Sequence, residues 1–144
     1  MILSEDNYLE TISSYDRRNW QPLLDLIPEI ELTNKFWEIA GGEKNDKGDI
    51  QMPYYMDSPI VEKFRESVVE LGIIISFDWS NWDDGRKIAR NKEFDYDSID
   101  IPTKCKLITA IVRNDRFCEG ALVAAFDSGL ILKILQSIDR QLNE

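Results

Sequence analysis

Apolar positions are densest between Leu107 and Leu135, where they recur in three groups at helical spacing. Leu107, Ile108, Ile111 and Val112 make the first face, and Phe117, Ala121, Leu122, Ala125 and Phe126 the second. Leu130, Ile131, Ile134, Leu135 and Ile138 make the third. Pro102 opens this stretch, Asn114-Asp115 and Ser128-Gly129 interrupt it, and the pattern predicts three consecutive short helices packed on one another. A fourth helix is predicted over 58–71, with Ser58 as cap, Pro59 at its first position and Gly72 closing it. Ile60, Phe64, Val68 and Leu71 line one face of that helix, while Glu62, Lys63, Arg65, Glu66 and Glu70 fall on a solvated one.

The amino-terminal third is less continuous. Tyr8, Leu9 and Ile12 form one apolar patch and Trp20, Leu23, Leu24 and Ile27 another, which predicts an interrupted helix from Ser4 to Ile30, its second piece capped by Asn19 and ended by Pro28. Phe36, Trp37 and Ile39 precede the turn-rich GGEKNDKGD, and IQMPYYM follows, a β-hairpin pattern in which Pro53 keeps the second run at an edge. IIISFDW after Gly72 reads as a strand that would pair with Ile50–Tyr55. Ser80 would cap a helix to about Asn91, its first turn acidic (Asp83, Asp84) and its end basic (Arg86, Lys87, Arg90) as the helix dipole favours. Asp97 to Ile101 reads as a linker. The expected fold is mainly α, a small α+β domain spanning 1–144, with about five to six helices and a minor β-hairpin or short two-stranded element. Its helical core covers 58–72 and 102–142, and its irregular or β parts about 33–56 and 73–79.

Composition narrows the functional classes. No apolar run approaches the roughly 18 residues of a membrane span, and the first ten residues, MILSEDNYLE, are acidic where a secretory signal is basic. The expected location is cytoplasmic, away from membranes. The net charge is −10, and residues 102–144 alone carry one more base than acid. Such a surface repels phosphate backbones, so no nucleic acid is expected; a basic protein partner or a small anionic ligand is compatible. With no histidine in the chain, serine–histidine and cysteine–histidine catalysis and histidine-ligated metals are excluded. Cys105 and Cys118 have no metal-ligand spacing, and Cys105 lies in an apolar helical pattern, as a buried thiol does. The turn around Gly48 places Lys47 and Tyr54 where a calcium loop needs oxygen ligands. No metal and no cofactor are expected.

Two clusters carry chemistry. In the first, Arg116 and Glu119 stand at i,i+3 with Arg113 one turn earlier, so on a continuing helix all three would share a face. Two guanidiniums so placed suit a carboxylate or phosphate, with Gly120 allowing close approach; the plainer alternative is a salt-bridge set fixing two helices. In the second, Tyr54, Tyr55, Trp79 and Trp82 combine with Asp78, Asp83 and Asp84. That mixture lines cationic-ligand, sugar or base pockets, or supplies an acid/base pair. The plainer alternative is packed aromatics beside the acids of a first helical turn.

The string VRNDRFCEGALVAAFDSGLILKIL, Val112 to Leu135, resembles the signature of an uncharacterised bacterial domain family of unknown function. IQMPYY, Ile50 to Tyr55, and FDWSNW, Phe77 to Trp82, resemble that family's other words in the same order, so the resemblance covers roughly Trp20 to Ile138. It implies a bacterial, intracellular protein of one domain. Some members carry a histidine after the glycine; this chain has Ala121, so no histidine role transfers. The expected function is binding without catalysis, through Arg113, Arg116, Glu119, Tyr55, Asp78, Trp79, Trp82 and Asp83. The alternative is a carboxylate-dependent hydrolase or anionic-ligand enzyme using Asp78 or Asp83 with Arg116.

Overall fold

Local signals interrupt one another at the start of the chain, and three short helices result where one interrupted helix was predicted. The structure, a computed structural model, describes residues 2–144. After β1 (Leu3–Ser4), α1 (Tyr8–Ser14) ends at Tyr15, whose backbone is extended. Asp16 then caps α2 (Arg17–Leu24): its carboxylate accepts from the Asn19 N–H, and the Asn19 side chain accepts from the Asp16 N–H. This reciprocal box satisfies two backbone donors at once, which makes Asn19 the third residue of the helix and not its cap. Pro28 does not end a helix either. It stands in the first turn of α3 (Ile27–Leu32), where its missing N–H goes unneeded.

The turn-rich segment forms the predicted hairpin. β2 (Trp37–Ala40) pairs antiparallel with β3 (Tyr54–Asp57), Ile39 opposite Tyr55 and Trp37 opposite Asp57. β4 (Ile75–Ser76) does not join it, contrary to the sequence expectation; it lies parallel to β1, Leu3 beside Ile75. The reason is burial. Ile73, Ile74 and Ile75 are all core residues, and the Ile75 N–H is held by the Thr109 hydroxyl at 3.2 Å, deep in the core and away from the exposed hairpin.

α4 (Pro59–Leu71) has the predicted ends: Ser58 precedes it, and Gly72 closes it in the left-handed region at φ +79°. The Ser58 hydroxyl, however, donates to the Lys35 carbonyl at 3.0 Å and ties the helix start to the hairpin base. Residues 79–81 form a 3-10 turn, so α5 (Asp83–Arg90) starts after Trp82, and Ser80 is not its cap. The Asp97 region is no free linker, because the Asp97 carboxylate accepts from Arg140 Nε and Nη2, each at 3.1 Å, and from the Ser137 hydroxyl.

Three helices end the chain: α6 (Ile101–Asn114), α7 (Ala121–Asp127) and α8 (Leu130–Leu142). With α2 and α4 they enclose a core in which Trp20, Phe64, Ile108, Leu122, Ile131, Ile134, Leu135 and Ile138 are wholly buried. Phe126 stacks between Phe36 and Phe64, ring centroids 5.1 and 5.3 Å away, joining hairpin base, α4 and α7. Phe117 is 80% exposed and belongs to no helix, which corrects its place on the predicted second face. The architecture is mainly α with two small two-stranded sheets, as expected, but with eight α-helices among the described residues.

Candidate functional site

The chemistry of this molecule gathers around the turn between α6 and α7, and one aspartate builds that turn. Asp115 lies just beyond α6; its Oδ1 accepts from the Leu122 N–H at 3.0 Å, so it ties down a free donor at the start of α7 from seven residues away. Its Oδ2 accepts from Arg65 Nη2 at 2.8 Å. Arg65, on α4, also holds Asp57 at 3.0 Å through Nη2 and pairs with Glu62 through Nη1. One guanidinium thus joins the hairpin, α4 and the α6–α7 turn, which suits its fixed planar fork of donors. Arg65 is only 28% exposed and is not the solvated residue of the sequence pattern.

The expected clasp is therefore elsewhere. Residues 115–120 are turn and not helix, so Arg116 and Glu119 do not share a helical face. Arg113, Arg116 and Glu119 take part in no ion pair among the described residues. Gly120 is required by its backbone, φ +87°, which β-carbon-bearing residues rarely adopt; nothing lies within 4 Å of where a Cβ would stand, so close approach is not its purpose.

The candidate residues divide among three cavities. A groove of about 360 Å³ separates the hairpin from α7, walled by Trp37, Tyr55, Val123 and Ala124, with Asp57, Glu119 and Asp127 at its edges. A cleft of about 190 Å³ lies between α5 and α6, against Trp79 and Trp82. A cavity of about 440 Å³ lies between α4 and the end of α6, and Arg113 and Arg116 line it. Asp78 and Asp83 line none of the three, and Asp83 and Arg116 share no cavity among them.

Local structure engages the aromatic and acidic words. Asp78 accepts from Asn81 Nδ2 at 2.8 Å and Ser80 Oγ at 3.0 Å, bonds that hold its carboxyl below the usual range. Asp83 pairs with Arg86 at 3.1 Å within α5. Trp82 stacks edge-on with Phe77 at 5.5 Å and presses against Gly85, while Lys106 Nζ stands 5.9 Å from its ring centroid. Trp79 lies 6.0 Å from the exposed Phe117 ring. Among the described residues no group of three Cys, Asp or Glu side chains is placed to hold a metal ion.

Comparison with known proteins decides one matter. A family model described as a family of unknown function, DUF6508, matches residues 15–144. The chain belongs to this family. The match includes all three strings that carry the sequence resemblance, so the DUF6508 region takes in the hairpin, the Arg65 clasp and every residue lining the three cavities except Ile2. No curated protein and no solved structure matches the chain. No single helix among the described residues is long and apolar enough to cross a membrane. α7 and α8 reach that composition only together, across a 67° bend, and Leu122, Ile131, Ile134 and Leu135 of that pair are buried in the core.

Proposed function

We propose that this protein is a small cytoplasmic bacterial binding protein, acting without catalysis, and that it holds a basic polypeptide along the β2–β3 hairpin. One observation carries the reading. Six of the eleven large apolar side chains exposed among the described residues, Ile39, Ile50, Met52, Tyr54, Tyr55 and Met56, belong to this one hairpin. Apolar surface so concentrated is the mark of an interaction site, whereas single exposed side chains need no explanation.

Charge selects the partner. Residues 37–57 hold five acids and two bases, and the adjoining groove is edged by Asp57, Glu119 and Asp127. Two copies meeting here would oppose like charges, whereas a basic chain would meet opposite ones. Each strand of a two-stranded sheet keeps one unpaired edge, to which an extended segment can add. Asp78 is held by Ser80 and Asn81 and Asp83 by Arg86, and neither lines the cavity that Arg116 lines, so nothing in this geometry favours the hydrolase alternative.

The test is photocrosslinking in the native host from Met52, with Leu32, equally exposed but outside the hairpin, as reference. The expected product is a basic protein captured from Met52 and not from Leu32. Its binding in purified form should fall with added salt and be lost in Ile39→Ser/Tyr55→Ser. Identical products from both positions, capture of a second copy of this chain, or a purified partner indifferent to the double substitution would each end the proposal.

A further inference from the structure

The cavity between α4 and the end of α6 is the reverse of the hairpin in charge, and nothing in the hairpin reading uses it. The geometry points to a site for a small amphiphilic anion, a carboxylate or phosphate monoester on a short apolar body, held by Arg113 and Arg116. Four observations carry this. Arg113 and Arg116 both line the cavity, yet neither guanidinium has an ion pair or side-chain hydrogen bond among the described residues. Arg65, which also lines the cavity, is by contrast fully engaged with Asp57, Glu62 and Asp115.

Asp115 is the one carboxylate on the wall, and both its oxygens are taken, Oδ2 by Arg65 and Oδ1 by the Leu122 N–H. It therefore does not neutralise the two free guanidiniums. The site is locally positive on a protein of net charge −10, so its basic lining is not a by-product of a basic surface. Apart from these groups the wall is apolar, with Val69, Ile74 and Val112, and Val69 is half exposed. The volume of about 440 Å³ lies in the range of small-ligand pockets. An acyl or alkyl body would cover Val69 and Val112 while its head group met two guanidinium forks, which favour bidentate contact with carboxylate or phosphate.

Titration calorimetry with octanoate and octyl phosphate tests the site. Octylammonium serves as a control for charge and inorganic phosphate as a control for the apolar body. At least one of the two amphiphilic anions should bind while octylammonium does not, with inorganic phosphate weaker by about tenfold or more. Arg113→Gln/Arg116→Gln should weaken the anion by about tenfold or more without moving the unfolding midpoint, because neither side chain supports the fold. Val69→Glu, which sets a carboxylate on the opposite wall from a half-exposed position, should do the same. Octylammonium bound as well as the anions would reduce the site to a greasy patch. Full affinity in the double variant, inorganic phosphate as tight as octyl phosphate, or no heat from either anion up to about 5 mM would overturn the assignment.

Discussion

Removing the Asp115 carboxylate is the sharpest perturbation available, because the side chain joins three elements through two bonds. In Asp115→Ala the Leu122 N–H loses its acceptor and Arg65 loses one of three carboxylates. A hydrogen bond to a charged group contributes about 1.5–3 kcal/mol net. Asp115 is 20% exposed, which places the Leu122 bond at the lower end, and Arg65 keeps Asp57 and Glu62, so no unpaired buried charge is left behind. The sum is about 2–3 kcal/mol, equivalent to a fall of about 8 °C in midpoint for a chain of this size. Asp115→Asn keeps an acceptor for the Leu122 N–H and gives up only the charge, at about 1 kcal/mol. Urea unfolding followed by tryptophan emission and far-ultraviolet dichroism should rank alanine below asparagine below wild type at constant m. Arg116→Ala and Glu119→Ala should stay within about 0.5 kcal/mol of wild type. Either of these costing as much as Asp115→Ala would return the clasp to the residues that sequence spacing favours and refute the assignment to Arg65 and Asp115.

Three further outcomes follow from the packing. Gly85→Ala should destabilise, although alanine in a helix ordinarily gains about 1 kcal/mol over glycine, because its Cβ would stand 2.3 Å from Trp82 Cε3; in a Trp82→Leu background the alanine should instead stabilise, and unfolding curves of the two pairs decide it. Burial pushes the Lys104 ammonium down to about 8 from its ordinary 10.5, so the unfolded chain binds more protons in that window and stability should rise with pH there. Between pH 8 and 9 the gain is at most about 1 kcal/mol before solvent screening, and the buried Cys105 thiol, pushed up by desolvation, offsets part of it as the unfolded thiol begins to ionise. Lys104→Met should flatten that slope in urea titrations, and an unchanged slope would acquit the lysine. A thiol reagent should label Cys118 at once in the native protein and Cys105 only on unfolding; two equally fast thiols would contradict the packing of α6.

The parts of this fold legible in the sequence are those whose signals are local. α4 is bounded by Ser58-Pro59 and Gly72, and the hairpin by a turn cluster between two apolar runs, so both could be placed from neighbours alone. The three last helices follow from apolar recurrence broken at Asn114-Asp115 and Ser128-Gly129. Pro28 shows where local signals are ambiguous: a proline ends one helix as readily as it starts another, and only the preceding turn at Asp25–Leu26 decides. The β1–β4 pair, two residues each and about seventy positions apart, leaves no periodic trace. Arg65 was hidden for a related reason. Its i,i+3 bond to Glu62 is visible in the sequence and looks like an ordinary surface pair, while its partners Asp57 and Asp115 lie on other elements. Their i,i+3 spacing does not bring Arg116 and Glu119 together, because the helix stops before 115–120, where the Asp115 tether and the positive φ of Gly120 redirect the chain.

That redirection also explains why two cavities of opposite charge can adjoin on so small a molecule. Asp57 edges the acidic groove beside the hairpin, Asp115 and Arg65 line the arginine cavity, and the Arg65 guanidinium lies between the two carboxylates. The clasp is a shared wall. It consumes the one carboxylate that would otherwise neutralise Arg113 and Arg116, while Glu119, released from pairing by the turn, faces the groove on the other side. Substitutions at Arg65 or Asp115 therefore alter both surfaces and the fold together, and loss of any binding activity in such variants would not tell one surface from the other. Ile39 and Tyr55 on the hairpin, and Arg113 and Arg116 on the cavity, make no contact with the clasp through ion pairs. Loss of partner binding in the first pair with anion binding intact, and the reverse in the second, is the pattern that two separate sites require.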